Sequence, residues 1–161
     1  MMGYTECAIM VRISQAVSMP GKKPMELDHQ LRVFLQQRHI ARVTTIGPDG
    51  YPHTVPVWYM LDGDDIVIAT GHETQKVQNI RANPKGAVVI GGDPLDENIT
   101  YQPCYLFQGD FVIDGEPGFD WITRIAYRYR DDHEQADRDI QTWGPHQLIR
   151  LKITKIMQVM P

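Results

Sequence analysis

The residues with the most chemistry in a short span are Thr70, Thr74, Gln75 and Lys76. Two hydroxyls, an amide and an ammonium fall where a β-branched run, Asp65-Ile66-Val67-Ile68-Ala69-Thr70, gives way to a helical pattern from Val77 to Ala82. The first turn of a helix leaves backbone N–H groups without intrahelical partners and carries a partial positive charge. Hydroxyls and a lysine gathered there suit a phosphate. The same residues also read as a capped surface helix with a solvated lysine, and the residues alone leave both readings open. Just upstream, Trp58 and Tyr59 in Val55-Pro56-Val57-Trp58-Tyr59-Met60 suit either the wall of a flat aromatic ligand or the core and a subunit contact. Pro56 removes a ladder donor from an apparent strand, which argues for an opening of the sheet where a ligand or second subunit can approach.

Other chemistries find little support. The six histidines are scattered (His29, His39, His53, His72, His133, His146), and none pairs at metal-ligand spacing, so no metal site is expected. There is no Gly-x-Ser-x-Gly elbow and no Gly-x-x-x-x-Gly-Lys phosphate loop. The two cysteines, Cys7 and Cys104, are too few for a disulfide framework, which fits a reducing cytoplasm. A net charge of −4 gives no general attraction to nucleic acid or anionic membrane, and no apolar run approaches membrane-spanning length.

The elements that must position these residues follow from periodicity and turn chemistry. At 161 residues one domain is expected, with residues 1–24 as a weakly patterned arm and 25–161 as the folded unit. Leu27, Leu31, Phe34 and Leu35 share a helical face. Ala41–Ile46 reads as a strand, and Asp49-Gly50 as the hairpin turn into a strand from Tyr51 to Met60. The Val55–Met60 ribbon carries bulky groups on both faces, which predicts burial on both. Leu61–Asp64 turns the chain into the Asp65–Thr70 strand, and Asn83-Pro84 ends the following helix. Gly86–Ile90 and a long strand from about Pro103 to Ile113, with Gly109 at a bulge, come next. Ile122, Ile125, Ala126 and Tyr129 mark an amphipathic helix, a second helical stretch runs to Thr142, and Gln147–Val159 closes the chain as a strand. Short turns and alternating strands predict a mainly β fold, an antiparallel barrel with peripheral helices.

From Leu27 onward the chain resembles the pyridoxamine 5′-phosphate oxidase-like superfamily of flavin- and deazaflavin-binding split β-barrels. The resemblance lies in Thr44-Thr45-Ile46-Gly47-Pro48-Asp49-Gly50-Tyr51-Pro52-His53-Thr54-Val55-Pro56-Val57-Trp58-Tyr59, in Ala69-Thr70-Gly71-His72-Glu73-Thr74-Gln75-Lys76 with Asn79 and Asn83-Pro84, and in Phe107-Gln108-Gly109 and Tyr127-Arg128-Tyr129. It implies an antiparallel split β-barrel, a homodimer and two cofactor sites at the subunit interface. It also implies that Val55, Pro56, Val57 and Trp58 lie along an isoalloxazine or deazaflavin ring, and that Thr70, Thr74, Gln75 and Lys76 hold the phosphate. FMN is the first expectation and coenzyme F420 the alternative. The pyridoxamine phosphate oxidases themselves carry arginines at the positions of Val55 and Gln75 and end with an Arg-x-His segment. This chain ends Leu148-Ile149-Arg150-Leu151-Lys152-Ile153, so vitamin B6 oxidation is not expected.

The resulting expectation is a cytoplasmic oxidoreductase moving a hydride between its cofactor and a small organic substrate, with no nucleic-acid or membrane partner. No residue is assigned to catalysis. Tyr59, His53 and His72 are general-acid candidates by proximity alone. A protein that stores flavin or deazaflavin without turnover is the alternative from another class. An oligonucleotide-binding barrel is disfavoured by the acidic balance and the lack of clustered basic and aromatic residues.

Overall fold

A computed structural model of the chain describes residues 25–94, 102–115, 119–143 and 146–160. The arm expected over residues 1–24 lies outside the described residues. The elements run α1 (His29–Leu35), β1 (Ala41–Ile46), β2 (Pro52–Val57), β3 (Met60–Asp62), β4 (Asp65–Gly71), α2 (Gln75–Ala82), β5 (Lys85–Gly91), β6 (Cys104–Ile113), α3 (Phe119–Tyr129), α4 (His133–Thr142) and β7 (His146–Met160). All strand pairs are antiparallel, in the order β2-β1-β5-β6-β7-β4-β3. β2 and β3 occupy opposite edges of that order, yet only Trp58 and Tyr59 separate them. Three Cα steps span at most about 11 Å, so the sheet must curl until its two edges nearly meet. The result is a half-barrel with helices outside it, the fold class read from the sequence.

Turn chemistry places the strands. Gly50 sits at φ +82° in the β1–β2 turn and Gly63 at φ +61° between β3 and β4, both in the left-handed region that glycine occupies at little steric cost. Asp28 caps α1, its side chain accepting from the Leu31 N–H at 2.8 Å. The β6–β7 ladder shifts register between Gln108 and Gly109: Gln108 pairs with Lys155 and Gly109 with Ile153, leaving Thr154 as the extra residue on β7. A Cβ on Gly109 would lie 2.0 Å from the Lys152 carbonyl oxygen, so only glycine fits there.

The expectation that the Val55–Met60 ribbon is buried on both faces is overturned. β2 is an edge strand that alternates exposed and half-buried positions, with Pro52, Thr54 and Pro56 in solvent. The strand also does not continue to Met60. It stops at Val57, and the chain crosses to the other edge through Trp58 and Tyr59. Tyr59 is fully buried in the main core beside Leu35, Ile66, Ile68 and Phe107, and its hydroxyl donates to the Leu35 carbonyl at 2.8 Å. Its N–H leaves the ladder and faces the Tyr129 hydroxyl at 3.4 Å. An edge position also accommodates Pro56, since among the described strands β2 pairs only with β1.

Candidate functional site

Two groups of residues make up the candidate site. The first is a cavity of about 510 Å³ lined by Ile40, Pro56, Val57, Trp58, Ala69, Ile125, Trp143 and His146. It is built from segments far apart in sequence. Trp58 lies flat against Tyr129, ring centroids 5.3 Å apart and planes 2° apart, and the Arg130 guanidinium sits 5.5 Å from the Trp58 ring. Arg130 is in turn held by Asp139 of α4 at 2.8 Å. Tyr129 is fixed by donating its hydroxyl to the His39 carbonyl at 2.7 Å. Behind Trp58, Ala126, Ala136 and Ile140 form a small core between α3 and α4, with Ile122, Tyr127 and Trp143 packed against it. Trp143 ends α4, its N–H reaching the Asp139 and Ile140 carbonyls, and its ring faces both Trp58 (6.3 Å) and His146 (5.8 Å). The α3–α4 pair is thus one wall of the cavity and the β2 end the other.

The second group is the start of α2. Thr74 is its N-cap, but its hydroxyl does not cap the helix. It donates back to the Gly71 carbonyl at 3.1 Å and lies 3.3 Å from the Thr70 hydroxyl, and Thr70 is buried. The first-turn N–H groups are therefore left without the side-chain acceptor an N-cap usually provides. Lys76 is half-buried, no carboxylate pairs with it among the described residues, and burial lowers its pKa. A threonine pair, helix N–H groups without a side-chain cap and a partly dehydrated ammonium unpaired among the described residues are donor types that an anion site uses.

The two groups are tied together. His72 Nε2 lies 2.7 Å from the His146 carbonyl, so it must be the donor, and the Gln147 amide reaches the His72 carbonyl at 3.4 Å. The loop from Gly71 to Thr74 is thereby pinned to the first residues of β7.

Of the residues singled out in the sequence, Pro56, Val57 and Trp58 meet in the cavity, Thr70 and Thr74 meet at the α2 start, and Lys76 lies in the first turn of α2. Val55 lies on the inner face of β2 opposite Val43 and is not among the lining residues. Gln75 is exposed and turned along the helix, its amide donating to Asn79 at 2.8 Å, while buried Asn79 donates to Thr45 at 3.0 Å. The Tyr59 hydroxyl is committed to Leu35, and burial pushes its pKa well above the ordinary phenol range. His53 points inward on β2 with Nδ1 buried and unpartnered, and His72 serves as the loop pin. Sequence reasoning missed Ile40, Ala69, Ile125, Trp143 and His146 as cavity residues. The signal needed was the β4–β7 register, which sets His146 opposite Gly71. Among the described residues no three His, Cys, Asp or Glu side chains come together as a metal would require, and no helix is long and apolar enough to cross a membrane.

A family model described as pyridoxamine 5′-phosphate oxidase matches residues 27–160. Among solved structures, an F420 reductase superposes with a TM-score of 0.60 at 20% identity, over 81% of this chain and 98% of that one. A conserved hypothetical protein from Mycobacterium tuberculosis gives 0.61 at 18% identity, over 88% and 90%. HutZ, a heme storage protein from Vibrio cholerae, gives 0.58 at 16% identity, over 82% and 94%. Likeness at these identities concerns the fold. No curated protein matches the sequence.

Proposed function

The chain belongs to the pyridoxamine 5′-phosphate oxidase family, and from that premise we propose that it is an oxidoreductase holding FMN or, in the alternative, coenzyme F420. The observation that carries the reading is the cradle at α2: an N-cap threonine turned away from the helix beside a half-buried lysine with no carboxylate partner among the described residues. The residues present fit a phosphorylated ring compound. Thr70, Thr74, Lys76 and the α2 N–H groups would hold the phosphate. Pro56, Val57 and Trp58 would line one side of the ring, with Ile125 and Trp143 excluding water from the cavity. When bound, the ring supplies hydride transfer to or from a small organic molecule, and the protein supplies binding and orientation. Gln75 is left out of the cradle because Asn79 engages it.

The protein acts as a homodimer in this reading. β2 is an exposed edge whose backbone and half-buried Val55 and Val57 call for a cover, and a self-complementary two-fold contact is the commonest one.

The visible spectrum of the purified protein, before and after addition of each cofactor, tests the proposal. A flavin or deazaflavin band with saturable binding is expected. No binding of either cofactor by the wild type overturns it. A second reading, ligand storage without turnover, is favoured by the α3–α4 cover over Trp58, and a heme storage protein shares the fold. Stopped-flow mixing of reduced holoprotein with a panel of acceptors separates the two. Reoxidation no faster than that of the free reduced cofactor across the panel points to storage.

A further inference from the structure

We infer that His146 is the hydrogen-bonding contact of the cavity, and that the cavity takes a planar, uncharged ring system presenting a carbonyl-type acceptor at its edge. The inference rests on the cavity being the ring site of the function proposed above.

Three observations converge on His146. The first is the chemistry of the lining. Apart from the indole N–H groups of Trp58 and Trp143, His146 is, among the described residues, the lining residue whose side chain carries polar atoms, and no described carboxylate, ammonium or guanidinium lines the cavity. A charged ring entering there would lose its hydration and meet no free counter-charge in that lining, the nearby Arg130 guanidinium being held by Asp139, so an uncharged one is favoured. The second is availability. The His146 backbone is fixed twice, by its carbonyl accepting from His72 at 2.7 Å and by its ladder position opposite Gly71, while its ring rests against Trp143 at 5.8 Å. Its imidazole nitrogens have no hydrogen-bond partner among the described residues. A neutral imidazole always carries one N–H, so a donor on a fixed backbone is free, among the described residues, to meet a guest in the cavity. The third is shape. Trp58 is held flat by Tyr129, planes 2° apart, and Trp143 tilts toward both Trp58 and His146, which favours a thin aromatic guest over a globular one.

The acceptor edge could come from the cofactor ring itself or from a second, substrate ring lying against it, and the experiment separates these. The first arm titrates purified wild type, His146→Phe and His146→Gln with menadione, an uncharged planar diketone, and with 2-methylnaphthalene, which has the same shape and no acceptor. Quenching of tryptophan fluorescence reports binding. His146→Phe keeps the flat ring against Trp143 and removes the donor, so menadione should bind about 10-fold more weakly while 2-methylnaphthalene is unchanged. His146→Gln keeps a donor and should stay within about threefold of wild type. The second arm measures, for whichever of FMN and F420 the wild type binds, the dissociation constant and midpoint potential in each variant, then repeats the menadione titration on the oxidised holoprotein. A shift of either cofactor quantity in His146→Phe assigns the contact to the cofactor ring. Loss of menadione affinity in the holoprotein alone assigns it to the substrate ring.

Ala69→Leu narrows the cavity from the β4 side, leaves the His146 donor in place and should weaken menadione binding. The inference is overturned if a folded His146→Phe changes neither ring by more than twofold, if wild type binds menadione no tighter than 2-methylnaphthalene, or if Ala69→Leu leaves menadione binding intact. A wild type that binds neither FMN nor F420, while His146→Phe still weakens menadione and not 2-methylnaphthalene, would overturn the proposed function and leave the His146 contact standing.

Discussion

The two ends of the candidate site are built in opposite ways. The anion cradle is local: Thr70, Thr74 and Lys76 lie within seven positions, and one strand-to-helix junction brings them together. The ring cavity is distributed: Ile40, Trp58, Ala69, Ile125, Trp143 and His146 come from six separate segments, and only the curled sheet and the α3–α4 pair make them neighbours. A local site survives loosening of distant packing, whereas a distributed one inherits the stability of everything that holds it. The two ends should therefore be separable by mutation, and riboflavin, which has the ring of FMN without its phosphate, reports on the ring end alone.

The largest effect is expected from Ile140→Ala. Ile140 is buried in the small core behind Trp58. Truncating a buried isoleucine costs about 2–5 kcal/mol, with the lower end expected here because the cluster is small and next to the surface. The loss should fall on α4 and on the Trp143 wall. Urea unfolding should show the destabilisation, and riboflavin affinity should fall with it. The discrimination of FMN over riboflavin, set at the cradle, should persist. Equal loss of that discrimination would mean that the cradle also depends on α3–α4 packing.

Lys76→Ala attacks the other end. A hydrogen bond to a charged group contributes about 1.5–3 kcal/mol, so FMN should bind roughly 10- to 150-fold more weakly. Riboflavin affinity should not change. Isothermal titration with both ligands checks this, and a mutant that matches wild type for FMN within twofold would return Lys76 to the role of a solvated helix residue.

This contrast also explains what the sequence disclosed. Strand β1 was legible to its last residue because Ala41–Ile46 is β-branched and closed by Gly47-Pro48-Asp49-Gly50, all local signals. The residues proposed for the cradle stand together in sequence, so the chain itself suggests them. The burial of β2 was misread because alternation reports the types of side chain on two faces, whereas exposure depends on how many neighbouring strands there are, and β2 has one. Gln75 was placed beside the phosphate because it is adjacent in sequence, but its i, i+4 partner Asn79 takes its amide. His146 and Trp143 were invisible because nothing before the β4–β7 register puts the end of α4 beside Gly71.

Gln75→Ala should accordingly do little. An exposed i, i+4 amide pair contributes about 0.2–0.5 kcal/mol to a helix. The melting temperature should drop by a small amount and FMN affinity should stay within about twofold. A loss as large as that of Lys76→Ala would restore Gln75 to the cradle and imply that its amide leaves Asn79 when ligand arrives.

The smallest effect concerns the cradle without its ligand. Burial lowers the pKa of Lys76 from its ordinary 10.5, and no carboxylate among the described residues compensates. The folded protein therefore binds this proton less tightly than the unfolded chain does. Stability rises with pH wherever the unfolded state binds more protons. For Lys76 the penalty is complete below its folded pKa, is relieved as pH climbs from there toward 10.5, and is absent above that value. Lys76→Met keeps the stem and removes the charge. At neutral pH the apo mutant should be slightly more stable than wild type, and the difference should shrink as pH rises through that window. Urea midpoints of both proteins across the alkaline range measure it. The effect is modest, because the side chain is only partly buried and screening by solvent weakens the penalty. Saturating FMN should reverse its sign, since the ammonium then has a phosphate to pair with and its loss removes ligand stabilisation of the native state. A mutant less stable than wild type in both conditions would mean that Lys76 already has a favourable partner in the apo fold, and that the cradle is not waiting for an anion.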